Sequence, residues 1–205
     1  SGTPNDMENQ ILVRMLFGRG YLPNFQGILC RGFGCQVVTG RSLREVCCQG
    51  LGIAERFLEE EIRAVFLDGH PVDDLDTAIV RDGSHVALSG SLPGLAGISM
   101  RRGSPIVSFR REISYRKTQQ EGEIKTGWIQ LKLFNLVADK LGPVLLRKGI
   151  VLKGNEWQEF LEKQPPEFWQ GMQKLEIDGK EMPPSAACSY DWPSLTVRLV
   201  VETTG

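Results

Sequence analysis

The chain predicts an α+β protein of two consecutive small units, residues 9–97 and 128–205, each a mixed sheet covered by one main helix, joined by a basic hairpin and linker at 98–127. Three observations carry that expectation. An apolar run at 64–67 and the strand-like segment 174–177 each close on an Asp-Gly turn signal, Asp68-Gly69 and Asp178-Gly179. Ser42 and Glu45 have the spacing of a capping box and start a helix between strand-like segments. The order strand, strand, helix, strand with Asp-Gly, closing strand then occurs a second time after residue 127.

Residues 1–8 read as a leader set apart from the fold. ILVRMLF at 11–17 is apolar enough for a buried strand, ended by Gly18 and Gly20. Residues 21–34, rich in glycine with Pro23 and Asn24, read as a long loop or hairpin connection, and 35–39 as the second strand. The helix opened by Ser42 has Leu43, Val46, Cys47 and Cys48 on its apolar side, with Gly50 and Gly52 at its end. Ile53, Phe57, Leu58 and Ile62 fit a 3.6-residue period and predict a second short helix. The strand at 64–67 follows, and the strand at 85–88 comes after Asp82-Gly83. Beyond Gly97, ISM and PIVSFRREISY predict two strands around Gly103-Ser104, and 116–127 reads as a linker.

In the second half WIQLKLF (128–134) and GIVLK (149–153) predict strands, NEWQEFLEKQ (155–164) a helix ending before Pro165-Pro166, and 195–201 the closing strand. Phe17 then falls opposite Phe134, Gly40 opposite Gly154, Leu43 opposite Trp157 and Glu45 opposite Glu159. Asp68-Gly69 falls opposite Asp178-Gly179, and Val86 and Leu88 opposite Val197 and Leu199. The offsets, 117, 114, 110 and 111, differ only by short insertions that loops absorb. Units of this size bury a limited core, so docking on each other or on a partner would add stability.

The text Arg81-Asp82-Gly83-Ser84-His85-Val86-Ala87-Leu88, with Gly94 and Gly97 beyond it, resembles the closing half of the MoaD and ThiS sulfur carriers of the ubiquitin-like β-grasp superfamily. LKLFNLVADKLG at 131–142 resembles the opening strand and turn of MoaD-type proteins. The resemblance implies two β-grasp units in tandem. It also implies a carrier chemistry in which a C-terminal glycine is adenylated and converted to a thiocarboxylate by an activating or sulfur-transfer enzyme. The chain departs from that pattern: Gly97 is followed by 108 residues, and the end reads Glu202-Thr203-Thr204-Gly205, with one glycine in place of two. Gly205 is the candidate carrier residue.

Net charge is −1, but residues 1–100 hold 8 arginines and no lysine against 12 acids, while 101–127 hold 7 cations against 3 acids. Arg101, Arg102, Arg110 and Arg111, with Phe109 and Tyr115 interleaved, are the candidate partner-binding group, weighed against a charged hairpin edge. Strand alternation splits these charges between two faces, and so modest a basic patch argues against a nucleic-acid partner. No apolar run approaches the roughly 20 residues of a membrane span, and the chain reads as cytoplasmic. Cys30, Cys35, Cys47, Cys48 and Cys188 have no paired C-x-x-C spacing and read as reduced thiols, and Asp73, Asp74, Asp76 and Asp82 as turn formers. No metal or cofactor is expected, since G-x-G-x-x-G, G-x-S-x-G and H-E-x-x-H are absent and only His70 and His85 are present. The expected function is non-catalytic protein–protein interaction through a sheet face or the hairpin, with the Gly205 carrier as the alternative.

Overall fold

The computed structural model describes residues 10–91 and 123–204. In chain order these form β1 (Gln10–Phe17), α1 (Leu22–Arg31), β2 (Phe33–Thr39), β3 (Arg41–Ser42), α2 (Leu43–Glu45) running into one π-helical turn (Val46–Gly50), α3 (Glu55–Glu60), β4 (Ala64–Leu67), β5 (His70–Pro71), β6 (Ile79–Val80) and β7 (His85–Ser89). After residue 122 come β8 (Lys125–Phe134), α4 (Leu136–Lys148), β9 (Ile150–Lys153), α5 (Gly154–Glu162), α6 (Pro166–Gly171), β10 (Met172–Ile177), β11 (Lys180–Met182), α7 (Ala186–Ser189) and β12 (Thr196–Thr203). Helices and mixed strand pairing make the chain α+β in the broad sense expected.

Contacts divide it into two compact units. The terminal unit takes in the chain up to Ile28 together with everything from Gly142, and the middle unit runs from Leu29 to Leu141. In the middle unit the strand order is β2-β8-β7-β4-β5, with β8 and β7 parallel and the other pairs antiparallel. In the terminal unit it is β9-β12-β1-β10-β11, again with a parallel central pair, β12 and β1, flanked by antiparallel neighbours.

This arrangement departs from the sequence expectation, which kept each half together. The strand at 11–17 was expected beside the strands of residues 9–97, yet it pairs with β10 and β12. The strand at 128–134 was expected in the unit 128–205, yet it pairs with β2 and β7. The physical reason is that β1 and β8 bury the same alternating apolar set, Ile11, Val13, Met15 and Phe17 in one and Ile129, Leu131 and Leu133 in the other. Period-2 patterning says which face is buried and nothing about which sheet is joined.

Register makes the two units congruent. Val86 of β7 lies between Leu67 and Leu131, and Leu131 lies beside Phe33. Val13 of β1 lies between Ile177 and Leu199, and Leu199 lies beside Ile150. The counterpart of β7 is therefore β1. Matching Val86 and Leu88 to Val197 and Leu199 in chain order fails in the sheet, because β12 pairs with β9 and not with β10.

The Asp-Gly turns fix that register. Asp68 and Gly69 have φ of 50° and 79°, Asp178 and Gly179 of 49° and 82°, the left-handed pair that a two-residue hairpin needs. Each aspartate then grips the neighbouring strand twice. The Asp68 N–H donates to the His85 carbonyl (2.8 Å), and its Oδ1 accepts the His85 N–H (2.8 Å). The Asp178 N–H donates to the Leu12 carbonyl (2.8 Å), and its Oδ1 accepts the Leu12 N–H (2.9 Å).

Four helices went unread in the sequence: α1, α4, α6 and the four-residue α7. In α1, which was expected as a loop, Phe25, Ile28 and Leu29 are buried at helical spacing, and Gly32 (φ 118°) ends the helix in a conformation that favours glycine. Helix α4 runs through Gly142-Pro143, which reads as a breaker, and buries Val137, Ala138, Leu145 and Leu146 before Gly149 (φ 112°). Helix α6 starts on Pro166, well suited to a first helical turn. The linker expected to 127 ends sooner, since Lys125, Thr126 and Gly127 already pair with Thr39, Val38 and Val37.

Capping Ser42 behaves as its spacing implies, its Oγ accepting the Glu45 N–H at 3.2 Å. In the terminal unit β1 presents Phe17 to an aromatic cluster: Phe17 lies 5.0 Å from Phe168 and 5.9 Å from Phe25, and Phe25 lies 5.1 Å from Phe160. Trp157 stacks on Phe160 at 5.4 Å, and buried Trp192 donates its Nε1–H to the Ala187 carbonyl at 2.7 Å. Each fully buried large side chain of this kind contributes roughly 1.5–3 kcal/mol by leaving water.

Candidate binding site on the β1–β12 face

Because Ile11, Val13, Met15 and Phe17 point into the core, alternation turns Gln10, Leu12 and Arg14 to the other face of the sheet. Parity on β12 does the same for Arg198 and Val200, and parallel register sets Leu12 beside Arg198 and Arg14 beside Val200. The last turn of α4 adds Arg147 and Lys148. Together these seven residues line a depression of about 410 Å³, all within the terminal unit. Gly149 brings the chain out of α4 directly over this surface: a Cβ there would stand 3.2 Å from Arg198 Nε and 3.5 Å from Val200.

Four of the seven lining residues are cations. Arg14 Nη1 stands 3.7 Å from Glu202 Oε1, with both side chains about half exposed, a pair worth little in water. Tyr21, which stacks with Phe17, is pushed above the usual phenol range by burial, with Arg147 nearby pulling the other way, so it stays protonated at neutral pH. The arrangement suits recognition of negative charge: guanidinium forks match carboxylate geometry, and Leu12 and Val200 supply apolar floor between them.

The residues singled out from sequence lie elsewhere. Gly205, Arg101, Arg102, Arg110 and Arg111, like Gly94 and Gly97, fall outside the described residues. Of the aspartates, Asp74 Oδ1 accepts the Asp76 N–H (3.0 Å), Asp76 accepts Arg44 Nε (2.7 Å), and Asp82 accepts the Trp128 N–H (2.8 Å). None of the five cysteines is joined in a disulfide. Burial raises Cys30 and Cys48 above the usual thiol range, helped by Asp139 and Glu55 respectively, which makes them poor nucleophiles. Among the described residues no group of three or more His, Cys, Asp or Glu side chains stands together as a metal site, and no helix is long and apolar enough to cross a membrane.

Arg14, Arg147, Lys148 and Arg198 were missed. The available signal was a single cation inside each of two apolar strands, ILVRMLF and TVRLVV, which marks an outward position but not its neighbours.

The fold and this face define an α+β protein with a cation-lined sheet surface. No family model, no curated protein and no solved structure matches the chain.

Proposed function

We propose that this protein is a non-catalytic binding module, two ubiquitin-like β-grasp units in one chain, that acts by protein–protein contact through the β1–β12 face. Support for the fold comes from the two congruent sheets, each with a parallel central pair and a helix following its first edge strand. The observation that carries the function is the depression in which the cations Arg14, Arg198, Arg147 and Lys148 surround half-buried Leu12 and, at its floor, buried Val200. A charged rim around an apolar centre is the usual anatomy of a protein-recognition surface.

The sulfur-carrier alternative needs a C-terminal segment free to enter an activating enzyme. Against it, the Thr204 N–H donates to the Phe17 carbonyl at 3.0 Å and holds the residue before Gly205 in the sheet.

Two measurements separate these readings. A photo-crosslinking residue at position 12 is expected to trap a protein that also binds as a purified component, while the same probe at Glu181, on the edge strand β11, does not. Intact-mass spectrometry of the protein from its own cells is expected to show an unmodified chain. A thiocarboxylate or a conjugate at Gly205 overturns the binding-module reading in favour of the carrier.

A further inference from the structure

We propose that the depression on the β1–β12 face binds a short acidic segment of a partner protein, its carboxylates on Arg14, Arg147, Lys148 and Arg198 and an apolar side chain on Leu12 and Val200. This rests on the binding-module reading and names the chemistry of the partner.

Charge placement is the main reason. Residues 10–28 and 142–204 carry nine lysines and arginines and nine acids, so this part of the chain is neutral, yet four of the nine cations line one depression. Arg147 and Lys148 are accounted for in part by the negative end of α4, which cations stabilise. That account does not reach Arg14 and Arg198, which come from two strands and meet there only through register.

Neither Arg147 nor Arg198 has a carboxylate within ion-pair distance among the described residues, and Glu202 reaches only Arg14. Nucleic acid is the weaker occupant. A phosphate backbone calls for an extended basic track, whereas this surface is compact, apolar at its centre and carries Glu202 on the same face. A peptide with carboxylates either side of a leucine-like residue fits both the charge and the floor.

The test uses the full chain and fluorescence anisotropy with a fluorescein-labelled peptide of alternating aspartate and leucine, alongside inorganic phosphate as competitor and a labelled single-stranded DNA of equal charge. Expected are saturable peptide binding that weakens at least about tenfold from about 50 mM to about 500 mM NaCl, and losses of about tenfold for Arg198→Ser and for Arg147→Ser. Lys163→Ser and Lys180→Ser, the same charge change elsewhere on the unit, are expected to stay within about twofold. Circular dichroism matched to the parent keeps the comparison to folded protein.

Absence of saturable peptide binding, equal losses in the lysine controls, or DNA or phosphate binding as tightly as the peptide overturns the proposal. If position 12 still crosslinks a purified partner while the acidic peptide fails, only the ligand chemistry falls. If both fail, the binding-module reading falls with it.

Discussion

The middle and terminal units share one hydrogen-bonded frame and differ in what they hang on it. His85 and Leu12 occupy the same place, each gripped by an αL aspartate. Following the register, Ala87 stands where Arg14 does, Gln130 where Arg198 does, and Lys132 where Val200 does. Even the glycines agree, for a Cβ on Gly32 would meet Lys132 and Gln130, as one on Gly149 would meet Val200 and Arg198. The frame is set by backbone bonds and buried alternation, which leave the outward residues free. Among the described residues, the terminal unit uses that freedom to gather guanidinium groups.

The sharpest break in the comparison should come at Gly154, matched in sequence to Gly40. Both donate their N–H at 2.7 Å, Gly154 to Leu195 and Gly40 to Val80, but Gly40 is glycine for its φ of 81° and Gly154 for lack of room. A Cβ on Gly154 would overlap the Trp192 carbonyl and lie 2.7 Å from the Leu195 carbonyl oxygen. Gly154→Ala should cost about 3 kcal/mol or more in urea unfolding, and Gly40→Ala about 1 kcal/mol. Equal costs would dissolve the distinction.

Next in size are Leu131→Ala and Leu199→Ala. Both side chains are fully buried at equivalent positions, so each should lose about 2–5 kcal/mol and the two should agree within about 1 kcal/mol. A wide gap would show that register congruence does not extend to packing.

Removing the clasps, by Asp68→Ala or Asp178→Ala, should cost about 1–2 kcal/mol each, by loss of one acceptor and a residue tolerant of αL. Asparagine at either site keeps both properties and should recover most of it. Loss confined to one unit would argue that only that turn fixes register.

The smallest effect is in pH dependence. Cys30 and Cys48 in the middle unit and Tyr21 in the terminal unit all have raised folded-state pKa values. Their contribution is therefore complete below the ordinary thiol and phenol range and is lost as pH rises through about 8.5–10 and beyond, because the unfolded chain ionises first. Thermal melts from pH 7 to 10.5 should show a gradual fall, and Cys30 and Cys48 should alkylate slowly at pH 7.5 compared with exposed Cys188. Fast alkylation of Cys48 would contradict the raised pKa that its half-buried placement gives it.

Much of this was legible before any coordinates. The Asp-Gly hairpins, the Ser42 cap, the strand at 64–67 and the helix after Gly154 follow from turn chemistry, capping and period, all readable within a dozen residues. Helices α1 and α4 were hidden by Gly27, Pro23 and Gly142-Pro143, breaker signals that burial of Phe25, Leu29, Leu145 and Leu146 outweighs.

Which residues face inward and where the chain turns follow from the order of residues alone, because those are local matters of alternation and backbone sterics. Tertiary structure alone decided that β1 joins β10 and β12, and with that decision came the meeting of Arg14, Arg198, Arg147 and Lys148. The reason is that two strands with the same apolar alternation satisfy either sheet equally well. The choice is made by pairings distant in the chain, Val13 with Ile177 and Leu199 and Leu131 with Phe33 and Val86, and no local pattern records it.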